Sequence, residues 1–541
     1  MNKSLIKSIA VLGIGGMVSG CSTSAWITAD SLSYQSTSPR ISELSEAQSQ
    51  RWGHLDLVRD TVPGMSVNRA YEELIKKKKG QPVIVAVIDS GIDLYHEDLK
   101  DILWVNPEEK PGDGIDNDGN GYVDDVHGYN FLGESYHEQL EFARILRLKL
   151  GDEALQQKAQ EELQAKLPEA KAALPQLQQI EQFVNQAHQN IQKKLGKAYY
   201  SLDDLEQYRP QSPQEEQQVG ILSQVIGMGQ DIPSALSDLQ DGIKYYQSQV
   251  NYNLNLDFDG RKPVGDNPYD YADTPYGNGN PNIRNGEESH GTHVAGIIAA
   301  VRNNKKGVNG VAQSVKIMSL RAVPDGDEYD KDIAYAIRYA ADNGAKVINA
   351  SFGKKFSPNS EWVYDALKYA ASKDVLFVHA AGNDGNNLDD PENPNFPNDH
   401  LGKNAPEIVD NYLTVGALSP VYGSNMIASF SNYGKENVDI FAPGDQIYST
   451  MPGSEYDFQG GTSMAAPAVA GIAAMIRSYY PQLTAADVKK VIMESGLAVP
   501  IRVKVGEEEK TLDQLSKSGK IANLYNALIL AGKVAAGQDS L

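Results

Sequence analysis

Val83-Ile84-Val85-Ala86-Val87-Ile88-Asp89-Ser90-Gly91 is the stretch on which the fold turns. It opens with six apolar residues in a row, mostly β-branched, with no polar alternation. Such a run suits a parallel strand covered on both faces. Similar runs recur at 315–320, 347–350, 375–379, 412–415 and 438–441, with helical stretches such as 331–343 and 360–373 between them. Strands alternating with helices imply an α/β fold around a mostly parallel sheet. In such sheets ligands bind beyond the carboxyl ends of the strands, so Asp89 stands where a reactive group belongs.

The 541 residues exceed what one compact core usually holds, so a large domain with an added part is expected. The formal charge of −22 argues against a nucleic-acid partner, because phosphates call for basic surface. Cys21 is the single cysteine, which excludes an internal disulfide. Lys3 and Lys7 precede an apolar run at 8–20, too short for a membrane-spanning helix, which needs about 20 residues. That pattern reads as an export signal over residues 1–20. Val18-Ser19-Gly20-Cys21 resembles the lipobox of bacterial lipoproteins, with Cys21 as the lipidated residue and the membrane as a partner through the lipid. An ordinary signal peptide cut nearby is the plainer alternative. Residues 21–50, rich in Ser, Thr and Gln, read as a tether, and 51–80 as an N-terminal extension packed on the main domain. The stretch before Trp52 is too short and polar to fold as an inhibitory prodomain.

One stretch breaks the strand–helix rhythm. Residues 135–250 show no strand pattern, and residues 151–250 contain 21 glutamines. Leu174, Leu177, Ile180, Val184, Ala187, Ile191 and Leu195 recur at three- and four-residue steps, as on an amphipathic helix. Pro168 and Pro175 are expected to end or kink helices. The stretch reads as a helical insertion dividing a main domain made of 81–134 and 251–541.

Three segments set a reactive side chain among small residues: Asp89-Ser90-Gly91, His290-Gly291-Thr292-His293-Val294-Ala295-Gly296 and Gly461-Thr462-Ser463-Met464-Ala465-Ala466-Pro467. Each alone has an ordinary reading, as a turn residue, a structural histidine or a helix cap. Together they supply an acid, a base and a hydroxyl, the groups that orient an imidazole, accept a proton and attack a carbonyl. A hydroxyl at a helix start also gains from the positive end of the dipole and from free N–H donors.

These motifs, with His96-Glu97-Asp98-Leu99 and Phe441-Ala442-Pro443-Gly444, resemble those of the subtilisin-like serine proteases, over about 80–130 and 255–535. The resemblance implies a three-layer sandwich of helices around the sheet. It implies that Ser463 is the nucleophile, His290 the general base and acid, and Asp89 the residue orienting His290, with His293 structural. Ala380-Ala381-Gly382-Asn383 matches the family's oxyanion segment, which makes Asn383 a donor beside the Ser463 N–H. Ser351, Phe352 and Gly353 match the segment that pairs with substrate backbone, and with Ala381 and Gly382 they would wall a roomy, apolar pocket. Phe352 stands where many relatives carry a smaller residue. No cofactor is implied for catalysis, and the substrates implied are polypeptides.

The Asp-rich run 113–125 offers Asp116, Asp118, Asn120, Tyr122 and Asp124 at calcium-loop spacing, for a structural Ca²⁺. Position 12 of that loop would be His127 instead of Glu, so Asp113 or Asp125 would have to complete it. Asx-rich turns explain the same run without a metal. The expectation for the whole is therefore an exported serine endopeptidase of the cell envelope, facing the periplasm or displayed at the surface. Two readings stay beside it: a surface binding lipoprotein on a protease scaffold, and a peptide ligase that passes the acyl group to an amine.

Overall fold

The computed structural model describes residues 26, 28–34, 42–284, 286–402 and 405–541. The expected signal at 1–20 and the expected lipidation site Cys21 lie outside them. Thirteen strands are described: β1 Val83–Asp89, β2 Gly128–Asn130, β3 Val315–Arg321, β4 Val347–Ala350, β5 Leu376–Ala380, β6 Tyr412–Leu418, β7 Ile440–Pro443, β8 Ile447–Met451, β9 Glu455–Gln459, β10 Leu497–Ala498, β11 Arg502–Val505, β12 Glu508–Thr511 and β13 Lys520–Ile521. The longer helices are α1 Glu141–Leu148, α2 Glu153–Leu195, α3 Leu202–Gln207, α4 Pro213–Gly227, α5 Ile232–Ser248, α6 His290–Ala299, α7 Asp330–Asp342, α8 Ser360–Ser372, α9 Thr462–Tyr479, α10 Ala485–Ser495 and α11 Leu524–Ala535.

Nine strands form one sheet in the order β10-β13-β7-β6-β5-β4-β1-β3-β2. Every neighbouring pair in it is parallel except β10 and β13 at the edge. The pleat of β1 shows why its apolar run has no polar alternation. Val83, Val85 and Val87 point into a cluster with residues of α6, α9, α10 and α11. Ala86 and Ile88 point the other way, into a cluster with residues of α7 and α8. Both faces of the strand are thus dry, giving a three-layer α/β sandwich.

The N-terminal segments are held against this body. The reading of 21–50 as a free tether does not hold for the described part: Trp26 is 1% exposed and its indole N–H donates to the Leu74 carbonyl at 2.7 Å. A tryptophan edge-on to Tyr479 buries more apolar area than a polar tether gains by staying in water. Trp52, also 1% exposed, donates to the Asp445 and Gln446 carbonyls.

Between Glu141 and Ser248 the chain is helical, in α1 to α5. Two expectations are met only in part. Pro168 and Pro175 do not end α2, which runs 43 residues through both. Each ring removes one N–H donor, but both prolines and the residues four before them, Gln164 and Lys171, are exposed, so water can meet the freed carbonyls. Leu163 and Ala170 anchor one half of α2 in a cluster with Phe142, and Val184, Ala187 and Ile191 anchor the other with Leu205 and Leu222. Ile180 and Phe183 near the junction remain exposed, so the apolar stripe read from the sequence is buried only in its second part.

Candidate active site

The carboxyl ends of β1, β4 and β5 and the amino ends of α6 and α9 meet on one side of the sheet. Asp89 closes β1 and is 1% exposed. Its Oδ1 accepts from the Ser90 N–H at 2.8 Å, and His290 Nδ1 lies 2.8 Å from Oδ1 and 3.0 Å from Oδ2. The approach requires glycine at 291: a Cβ there would meet the Gly91 carbonyl oxygen at 2.2 Å and Asp89 Oδ1 at 3.1 Å. Burial alone would lower the His290 pKa, yet the charge and hydrogen bond of Asp89 outweigh it and hold the imidazole above the ordinary 6.5.

His293, one turn on, is fully buried beneath the β8–β9 hairpin and reaches the Ile447 and Asp457 carbonyls from Nε2. Burial lowers it to about 4, so it is neutral and structural in its surroundings. His379, likewise lowered by burial to about 4, meets the Phe352 carbonyl at 2.7 Å and props the 351–353 segment.

Ser463 is the second residue of α9, with Gly461 as the cap. Its hydroxyl donates to the Ser351 carbonyl at 3.2 Å, while Ser351 Oγ donates back to the Ser463 carbonyl at 2.8 Å. Among the described residues Ser463 Oγ makes no hydrogen bond to His290. A hydroxyl is a free rotor, and bonds of this kind are often formed only once a substrate is in place.

Asn383 is oriented by its neighbour. Its side-chain oxygen accepts from the Thr462 N–H and from Thr462 Oγ1, both at 2.9 Å. A backbone N–H can only donate, so the oxygen must face Thr462 and the Nδ2 amide must face the open side. A Cβ on Gly461 would sit 3.3 Å from Asn383 Nδ2 and 3.6 Å from Ser463 N. Glycine at 461 therefore leaves open the space that these two donors share. The 381–386 turn is held by Asn432, whose Nδ2 donates to the Ala381 carbonyl while its Oδ1 accepts from the Asp384 and Asn386 N–H groups. Gly382, at φ +98°, has no room for a side chain, since a Cβ would meet Asn432 Nδ2 at 2.5 Å.

Ser463, Asn383, Phe352, Gly353 and Gly382 line one hollow of about 630 Å³; Asp89, His290 and Ser351 line a second of about 360 Å³. Phe352 and Gly353 border both. Ala381 is fully buried behind Gly382, forming part of the support and not the lining. Gly353 is exposed, and its backbone makes no hydrogen bond among the described residues, as an edge awaiting a paired strand would present. Sequence reasoning missed Asn432, His379 and Asn395, whose Nδ2 donates to the Ala380 and Ala381 carbonyls, and it quoted Thr462 within the serine motif without giving it a role.

The expected metal ligands do not come together as read. The Asp116 carboxylate accepts from the Gly119, Asn120 and Gly121 N–H groups, and Asp124 from those of Gly112, Asp113 and Gly114. Asn120 turns its Nδ2 toward Asp118 and Asp125 and its oxygen toward the Tyr122 N–H. Short Asx turns thus consume much of the set. Asp118 instead converges with Glu109 and Asp125, which supply carboxylate oxygens within 4.8 Å of one another. Glu109 Oε2 is buried without a hydrogen-bond partner, and burial raises the pKa of Asp125. That set is all hard oxygen, the donor type Ca²⁺ takes, and Asn106, Asn120 and Tyr339 also donate to Asp118 or Asp125.

A model of the subtilase family (Peptidase S8) matches residues 80–519. Thermophilic serine proteinase of Bacillus sp. (strain AK1) is 40% identical over 223 residues, 41% of this chain and 48% of that protein. Thermitase of Thermoactinomyces vulgaris is 40% identical over 190 residues, 35% of this chain and 61% of that protein. Subtilisin BL of Lederbergia lenta is 39% identical over 204 residues, 38% of this chain and 68% of that protein. The chain thus spans about half the length of the first two relatives. With a family match over most of its length and the parallel sheet beneath it, the chain belongs to the subtilase family.

Proposed function

We propose that this chain is a serine endopeptidase that hydrolyses polypeptides at the bacterial cell envelope. The observation that carries the reading is the set of two free donors, Asn383 Nδ2 and Ser463 N, around one open point beside the Ser463 hydroxyl. A tetrahedral intermediate develops negative charge on the former carbonyl oxygen, and donors fixed beforehand stabilise that charge without reorganising. Ser463 Oγ attacks the scissile carbonyl while His290 takes its proton and returns it to the leaving amine. Asp89 holds the ring by Nδ1, so that Nε2 is the basic atom, and stabilises the imidazolium that forms. Water then releases the acyl group in the reverse sense. The free backbone of Gly353 supports an added substrate strand, with the 630 Å³ hollow taking the side chain before the cleaved bond.

The envelope location rests on the residues 1–21 as sequence and on the family's relatives, one of which is a cell wall-associated protease of Bacillus subtilis. Among the described residues no helix is long and apolar enough to cross a membrane. In this reading acyl chains on Cys21, supported by the Val18-Ser19-Gly20-Cys21 sequence, are the anchor. A structural Ca²⁺ held by Glu109, Asp118 and Asp125 belongs to the same proposal, with no part in the chemistry.

Four experiments test these parts. A fluorophosphonate should label the wild-type chain and fail on Ser463→Ala, and Asn383→Ala should lower kcat about 10²–10³-fold, a magnitude taken from subtilisin itself. A wild type that resists labelling and cleaves nothing would sink the endopeptidase and favour a binding role. Labelled palmitate should enter the full chain in a bacterial host and be lost in Cys21→Ser; equal incorporation in both would remove the anchor. Chelation by EDTA should lower the unfolding temperature of wild type but not of Asp118→Asn, and an equal response would discard the cation site.

A further inference from the structure

Lys76-Lys77-Lys78-Lys79 sets four positive charges in a row in a chain whose formal charge is −22. Lys76, Lys77 and Lys79 are exposed, and none of the four is in an ion pair among the described residues. The nearest acids along the chain, Glu72 and Glu73, are taken by Arg59 and Arg69. Lys316, beside Ile84 in the β1–β3 register, is exposed at the same end of the sheet, and its ammonium meets the Asp101 carbonyl at 3.0 Å. A lysine run by itself is an ordinary solvated surface. This one is set apart by where it is held.

The Lys78 carbonyl accepts from the Tyr479 hydroxyl at 2.9 Å and from the Gln313 side-chain amide at 3.1 Å, and the Gln81 N–H donates to the Ser478 carbonyl at 2.9 Å. The run is thereby fixed to the carboxyl end of α9. The Lys78 ammonium also lies 4.8 Å from the centre of the Trp26 ring, which stands edge-on to Tyr479 and Tyr480. Trp26 is the first described residue, so the N-terminal chain meets the body beside the lysines. Cys21 precedes it by five residues, a length that spans at most about 18 Å. Ser463 lies at the other end of the same helix. From Ser463 to Tyr479 α9 is about 24 Å long, so the lysines and the catalytic hollow stand at opposite ends of it.

We propose that this lysine face docks on a bilayer surface containing anionic lipid, next to the acyl chains on Cys21, and turns the catalytic cleft away from the membrane. This rests on the reading of Cys21 as lipidated. An acyl anchor holds one point and lets the body swivel about it. A lysine run at a fixed place adds a second contact and selects one orientation. The net charge of −22 does not oppose it, because salt screens charges over about 8 Å and only the facing surface counts.

The test uses the full chain, acylated in a bacterial host, with vesicles of phosphatidylcholine alone or with phosphatidylglycerol added. The ratio of its partitioning onto the two kinds of vesicle cancels the contribution of the acyl chains. Lys76→Gln, Lys77→Gln and Lys79→Gln together should lower that ratio about tenfold or more, since each lysine at an anionic surface is worth about fivefold. An unchanged unfolding temperature shows that the variant is folded. A fluorescent fluorophosphonate on Ser463 should stand about 20 Å or more from an acceptor dye at the bilayer surface. A ratio within twofold of wild type would overturn the proposal and leave the lysines to a soluble polyanion or to water. A Ser463 fluorophore in contact with the bilayer would overturn it too. Failure of the wild type to take up labelled palmitate would instead overturn the anchor, and the two failures are separate.

Discussion

Asp89 is a carboxylate at the end of a strand dry on both faces, and a charge so placed persists only if donors surround it. The Ser90 N–H and His290 Nδ1 are those donors. Much of the architecture follows from satisfying them. The α6 helix has to begin against the end of β1, which demands glycine at 291 and a turn at Gly91 with φ +99°. The chain between the two residues can be of any length provided it leaves and returns at that edge. Here it spends the interval on an Asx-rich loop and on five helices.

The same economy governs the other half of the site. Thr462 satisfies the oxygen of Asn383 and thereby points its amide outward, while Gly461 keeps the shared space clear. Among the described residues neither the amide nor the Ser463 N–H makes a hydrogen bond. Unused donors are costly when buried, and here they face an open hollow where water or a carbonyl oxygen can meet them. The insertion adds a wall to that hollow, with Phe142, Glu162, Lys166 and Tyr245 among its lining.

The parallel sheet was legible because its strands are buried on both faces and carry uninterrupted β-branched runs; β1, β3 and β4 begin where the pattern placed them. The two- and three-residue β2, β10 and β13 were not, since they leave too brief a pattern to read, and neither were the β8–β9 and β11–β12 hairpins, whose strands are polar and largely unburied. Asp89, His290 and Ser463 stood out through their small-residue surroundings, which reflect close backbone approach, whereas Asn383 was reached only through the resemblance to the family's oxyanion segment. Their supports were not legible, because Asn432, Thr462 and His379 act through contacts distant in sequence. In the Asp-rich loop the spacing left metal and Asx turns as alternatives. Asp116 and Asp124 have the residue type a metal needs, but nearby glycine N–H groups reach them first, and Glu109 enters from outside the motif. The prolines of α2 did not end the helix, because apolar clusters hold it on both sides of them.

The coupling of His290 to Asp89 is the point on which the account rests most directly, and its sign can be measured. By linkage, a raised pKa means that the pair stabilises the fold fully below the unfolded value and that this contribution is lost as pH rises through the folded value. A base held above 6.5 also places the acid limb of kcat/KM above 6.5. The decisive measurement is a titration of the His290 ring by NMR in wild type and in Asp89→Asn. The account predicts a midpoint above 6.5 that drops in the variant, where burial acts unopposed. A wild-type midpoint at or below 6.5, or one that Asp89→Asn leaves in place, would contradict it.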